Sequence, residues 1–312
     1  MSVTTLRVPA GLAETIDHCV AMIDAAAIRE ASPLVAAADP LPSLLDQCER
    51  LTDQMPAEPE PIRTIHHFAC TGGTLIAKCL ACMPNTQLLS EVEPFSHVQE
   101  SAGGSRFHPT DLIRLARNSS RGVDRAFEAE LFKAGLEIMY QDCRRKGLRL
   151  ILRDHTHSSY CFGPGISQTP NLREHVRSSY PVLAIVTVRH PLDSFLSVEK
   201  LSWLHFEPAT LDEYCNRYLR FLEDYEGVPL FKYEDFVAAP VDEMQAMCNA
   251  LDLPFAEGFE HLFSVHRLSG DSGRTADSIA TRERRTMPEW VKRAAAESAT
   301  YELLSRRLGY LG

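Results

Sequence analysis

The residues best placed to do chemistry end a hydrophobic run. Val182-Leu-Ala-Ile-Val-Thr-Val188 is closed by Arg189, and Pro191, Asp193 and Ser197 follow at offsets of two, four and eight. A guanidinium at the carboxyl end of a buried strand, ahead of a helix N-terminus carrying hydroxyls, suits a phosphate. A second group is Ala69-Cys70-Thr71-Gly72-Gly73-Thr74-Leu75, whose glycines and threonines form a loop with backbone N–H groups able to wrap an anion. It lacks the lysine of G-x-x-x-x-G-K-[ST], and on these residues alone a plain glycine turn reads equally well.

Carboxylates and imidazoles come next. With period-two alternation Glu91 and Glu93 share one side of a strand, where a carboxylate can take a proton from an attacking hydroxyl. Arg153-Asp154-His155-Thr156-His157 offers His155 as a base or as a donor to developing negative charge. His155 and His157 have no third ligand placed beside them, so no metal site is expected. Cys79 and Cys82 have C-x-x-C spacing but lie within a helical apolar pattern, and a redox or metal role is not assigned to them. The polar stretch Leu268–Ser278 carries Gly273 and Arg274, and reads either as a surface loop or as a flap that closes an arginine fork on an anion.

These groups need a scaffold. Alternating strand and helix patterns after residue 61 predict an α/β fold, a parallel sheet flanked by helices. Strands are expected at 62–68, 86–92, 148–155, 182–188 and 228–236. Helices are expected at 125–145, 192–205, 210–225, 240–251 and 288–308. Residues 10–54 read as helical, and Met55-Pro-Ala-Glu-Pro-Glu-Pro61 as a linker. The expected division is a helical extension with linker over 1–60 and an α/β domain over 61–312.

Composition narrows the function. A 312-residue chain with 45% hydrophobic and 24% charged residues suits a soluble globular protein. A net charge of −10 argues against nucleic acid as a partner, although Arg282-Glu-Arg284-Arg285 forms a local basic cluster. Nine scattered cysteines fit reduced thiols, and neither a secretion signal nor a membrane span is read, so a cytoplasmic location with no membrane partner is expected. A homo-oligomer is left open.

In order and spacing these residues resemble the PAPS-dependent sulfotransferase family over about residues 62–290. Ala69 to Ile76 is similar to the family's P-[KR]-S-G-T-T-x-L loop, and Arg189, Pro191, Asp193 and Ser197 match R-x-P-x-D-x-x-x-S without gaps. Lys232-Tyr233-Glu234-Asp235-Phe236 resembles [KR]-Y-E-D-[LF]. The resemblance implies a P-loop-like fold with PAPS as donor, PAP as product and no metal. It implies that Cys70, Thr71, Gly72, Gly73, Thr74 and Leu75 hold the 5′-phosphosulfate, that Arg189 and Ser197 hold the 3′-phosphate, and that Gly273 and Arg274 close over the nucleotide. The acceptor would be a hydroxyl of a small molecule or carbohydrate. Family branches differ in placing the base after the second or third strand, so both Glu91 and His155 qualify, Glu91 being preferred. The chain departs from the pattern at Cys70, where the family has Lys or Arg; Arg153, His67 or Lys78 would have to replace that cation. An ATP-dependent P-loop kinase and a non-catalytic nucleotide-binding relative are the alternatives.

Overall fold

A computed structural model describes residues 18–22, 43, 59–96, 110–166, 170–270, 278–281, 284 and 286–311. The chain divides into two compact units, Met1–Glu58 and Pro59–Gly312. In the first, residues 18–22 are helical, and most of the region expected to be helical lies outside the described residues.

The second unit is built on a parallel sheet in the order β2-β3-β1-β4-β5. Its strands are β1 (Ile62–His67), β2 (Thr86–Val92), β3 (Arg149–Asp154), β4 (Val182–Val188) and β5 (Leu230–Lys232). β1 is central, and every one of its residues is buried although four are polar or charged. The run of β4 is apolar because both of its faces are covered, as parallel sheets require. Ile185 joins a core with Ile65, Ile76 and Met247, while Val186 on the opposite face joins Phe68, Tyr214 and Phe221.

Helices cover both faces. They are α1 (Gly73–Leu80), α2 (Leu112–Arg117), α3 (Arg125–Arg145), α4 (Thr156–Tyr160), α5 (Leu172–Arg177) and α6 (Pro191–Lys200), followed by α7 (Leu211–Asp224), α8 (Tyr233–Ala238), α9 (Pro240–Ala250), α10 (Phe259–Leu262), α11 (Glu289–Glu297) and α12 (Ala299–Arg307). Local chemistry fixes their starts. Asp124 accepts from the Phe127 amide at 2.9 Å to open α3, and Pro191 takes the first position of α6, where a missing N–H costs nothing.

Two expected elements are corrected. The strand predicted at 228–236 is only Leu230–Lys232, and the chain turns into α8 at Tyr233. Glu234 and Asp235 fall in the first turn of α8, where carboxylates favour helix because they face its positive end. The helix predicted at 288–308 breaks at Ser298, whose hydroxyl accepts from the Tyr301 amide at 3.0 Å and starts α12.

Candidate active site

The sheet order turns about β1, so the carboxyl ends of β3, β1 and β4 lie side by side, the crevice where open α/β sheets bind ligands. From β1 the chain enters the diglycine loop through Cys70 at φ 61° and Gly72 at φ 89°. Gly72 has no alternative: a Cβ there would overlap the Tyr233 ring, besides demanding a left-handed backbone. Thr71 pins the loop from below, its hydroxyl donating to the Phe68 carbonyl at 2.7 Å and lying 3.3 Å from that of Thr187. Gly73 opens α1 and packs against the His67 ring, while the Leu75 amide donates to the Gly72 carbonyl at 3.0 Å. The N-terminus of α1, which starts in this loop, is a helix end of the kind that favours an anion.

From β4 comes Arg189. Its Nη1 lies 3.4 Å from the Cys70 carbonyl oxygen, and its guanidinium covers the Tyr233 ring at 4.9 Å. The buried Tyr218 hydroxyl brackets the Arg189 backbone, accepting from its N–H at 3.1 Å. Ser197 behaves differently. It lies buried in α6 with its hydroxyl donating to the Asp193 carbonyl at 2.8 Å, and Asp193 in turn pairs with Arg284 at 3.0 Å. Gly273 and Arg274 lie outside the described residues.

From β3 comes Arg153, 3% exposed, whose guanidinium reaches across to the loop. One amine donates to Thr74 Oγ1 at 3.0 Å and approaches His67 Nε2 at 3.0 Å; the other donates to Ser90 Oγ at 2.8 Å and pairs with Glu91 at 2.6 Å. A guanidinium only donates, so His67 Nε2 accepts and the imidazole is neutral. Burial, and then the charge of Arg153, hold the His67 pKa well below its usual value. Of the three cations named as replacements for a loop lysine, Arg153 contacts the loop directly. Lys78 lies in the last turn of α1.

Glu91 and His155 meet: Glu91 Oε2 is 3.4 Å from His155 Nε2, and both side chains are partly exposed. Glu91 and Glu93, expected on one side of the strand, are parted. The β2–β3 register shifts between Leu89 and Val92, and Glu91 takes a left-handed φ of 61°. An irregularity of this kind re-aims side chains that strict alternation would align. Glu93 instead accepts from the Phe95 amide at 3.0 Å and from Ser159 Oγ at 3.4 Å. Burial and the neighbouring Asp154 push its carboxyl up to about 7. Asp154 belongs to a buried cluster, taking His66 Nδ1 at 2.7 Å and the Tyr225 hydroxyl at 2.9 Å. The start of the glycine/serine stretch docks on β2: Ser90 and Ser269 exchange hydroxyl-to-carbonyl bonds at 2.9 and 2.5 Å, and Gly270 lies against the Glu91 carboxylate.

β3 ends at Asp154, one residue short of the expected strand, so His155 precedes α4 and His157 lies in its first turn. Among the described residues no cluster of His, Cys, Asp or Glu has the make-up of a metal site, and no helix is long and apolar enough to cross a membrane.

A diglycine loop, a strand-end arginine and a carboxylate–imidazole pair thus lie at the carboxyl ends of neighbouring strands of one parallel sheet. The model of the sulfotransferase family matches residues 68–257, and the chain belongs to that family. No curated protein sequence matches it significantly. Among solved structures, the sulfotransferase domain of the olefin synthase of Synechococcus PCC 7002 aligns with a TM-score of 0.52 at 17% identity, covering 82% of this chain and 96% of that domain. The sulfotransferase domain from the curacin biosynthetic pathway aligns at 0.48 and 17%, covering 82% and 99%. Mouse SULT7A1 complexed with PAP aligns at 0.39 and 10%, covering 79% and 89%. At 17% identity the first of these likenesses bears on the fold alone.

Proposed function

We propose that residues 61–312 transfer a sulfuryl group from PAPS to a hydroxyl of a small-molecule or carbohydrate acceptor. The observation that supports this reading is the 3.4 Å approach of Arg189 to the diglycine loop, which brings the ends of β1 and β4 together. A nucleotide bearing phosphate at both its 3′ and 5′ ends matches a cleft with a guanidinium at one end and helix N-terminal amides at the other.

In this reading the loop from Cys70 to Leu75 holds the phosphosulfate, and Arg189 holds the 3′-phosphate. Ser197 contributes through the helix that carries it, its hydroxyl being engaged with Asp193. As the S–O bond of the donor breaks, PAP keeps the electron pair, and the acceptor oxygen forms the new bond to sulfur. Arg153, touching Thr74, supplies the charge that Cys70 does not, where negative charge grows on the leaving oxygen. The acceptor proton passes to the Glu91–His155 pair, whose members are close enough to act together.

The test is thermal denaturation of the purified chain with PAP and with ATP–Mg²⁺. Stabilisation by PAP with little change from ATP–Mg²⁺ supports the reading. No shift with PAP at millimolar concentration overturns it, and a shift with ATP–Mg²⁺ alone favours a kinase.

A further inference from the structure

The diglycine loop departs from P-[KR]-S-G-T-T-x-L at two places. Along Ala69 to Ile76, Cys70 stands where the pattern has a cation, and Gly73 where it has its first threonine. One position lacks a charge and the other lacks a side chain. The space that Gly73 leaves open is taken by a neighbour. A Cβ at 73 would overlap the His67 ring, so the imidazole can lie there only because residue 73 is glycine.

The register explains what the ring meets. Arg153 of β3 pairs with Ile65 of β1, and His67 stands two residues beyond Ile65, so His67 and Arg153 share one face of the sheet. It is the face covered by α1, since Ile65 packs with Ile76. One amine of Arg153 lies 3.0 Å from His67 Nε2 and 3.0 Å from Thr74 Oγ1, in the first turn of α1. The other amine is held by Ser90 at 2.8 Å and by Glu91 at 2.6 Å, both on β2. An ionised carboxylate is the stronger partner and draws the guanidinium toward β2. The acceptor at His67 opposes that pull on the loop side.

The imidazole has little other polar use. His67 is 8% exposed, and its Nδ1 has no hydrogen-bond partner among the described residues. An unmet buried donor is destabilising, and a ring retained only for packing would need no nitrogen at either place. Burial and the Arg153 charge keep the imidazole neutral, as accepting from a guanidinium requires.

We infer that His67 is a positioning residue for the transfer: it fills the space left by Gly73 and holds the Arg153 guanidinium at the diglycine loop, in place of the cation missing at Cys70. This deepens the proposed transfer and rests on that reading. The test is calorimetric titration with PAP and with adenosine 3′-phosphate, which lacks the phosphate assigned to this loop. It is run on wild type, His67→Gln, His67→Asn, and Cys70→Lys in the His67→Asn background. A glutamine oxygen reaches the place of Nε2, whereas an asparagine reaches only that of Nδ1. The expected result is PAP binding weakened about tenfold by His67→Asn, kept within a fewfold by His67→Gln and largely restored by Cys70→Lys, with adenosine 3′-phosphate affinity level throughout. That level affinity also shows that the variants are folded. An equal loss for both nucleotides in His67→Asn overturns the inference, as does a PAP loss that Cys70→Lys leaves unrepaired. Wild type that binds PAP, with no loss in His67→Asn, refutes the role of His67 alone. Wild type that does not bind PAP refutes the donor assignment, and this role with it.

Discussion

The guanidinium of Arg189 rests 3.4 Å from the main-chain oxygen of Cys70, so the end of β4 and the turn after β1 are in contact. Tyr233 braces both. Its ring lies under the guanidinium at 4.9 Å and fills the space beside Gly72 where any side chain would stand. One aromatic ring from the start of α8 therefore lies against both Arg189 and the diglycine loop.

Gly72→Ala should break that brace. The new methyl overlaps Tyr233 at a backbone conformation that costs a non-glycine residue about 1 kcal/mol or more. We expect a lower Tm and a loss of PAP binding exceeding that of Gly122→Ala, a left-handed position whose added Cβ meets only the Arg117 carbonyl, at 3.8 Å. Denaturation curves with and without PAP separate the two effects.

Arg153, Glu91 and His155 are expected to act as a unit. Arg153→Met should lower kcat by about 10²-fold with little change in the acceptor KM, because the lost charge matters most as the leaving oxygen becomes anionic, and Arg153→Lys should restore part of the loss. Glu91→Gln should lower kcat by about 10²- to 10⁴-fold, and adding His155→Asn should cost little more, since the two side chains touch. Steady-state rates for the single and double variants check this. Fully additive losses would show two independent roles.

Glu93 carries a pH signature. Its carboxyl releases a proton at about 7 in the folded chain, against the usual 4.5, chiefly because it is buried and then because Asp154 is near. Between those values the folded chain binds more protons than the unfolded one, so its contribution to stability is complete below 4.5 and lost as pH rises through 7. Glu93→Gln should flatten this slope. Tm profiles are expected to converge near pH 4 and to favour the variant near pH 8.

Much of the scaffold can be read directly from residue order. The apolar run of β4, the amphipathic pattern of α3 and the glycine pair after β1 each act through neighbours in sequence, where periodicity is informative. What escaped depends on long-range packing. The register shift that separates Glu91 from Glu93 arises between two strands, and no local pattern announces it. The shortening of β5 follows from α8, whose Glu234 accepts from the His190 amide at 2.9 Å and from the Tyr310 hydroxyl at 2.7 Å, partners far away in sequence. Arg153 was named as one of three candidate cations, and only its path across the sheet to Thr74 distinguishes it.

The most direct measurement compares PAP with adenosine 5′-phosphate by titration calorimetry, on wild type and on Arg189→Ala. The account predicts that wild type prefers PAP, and that Arg189→Ala loses about 10- to 100-fold of PAP affinity with little change for the monophosphate, as removing one guanidinium–phosphate contact should. Equal affinities for the two nucleotides in wild type, or an equal loss for both in Arg189→Ala, would contradict a cleft that grips its nucleotide at two ends.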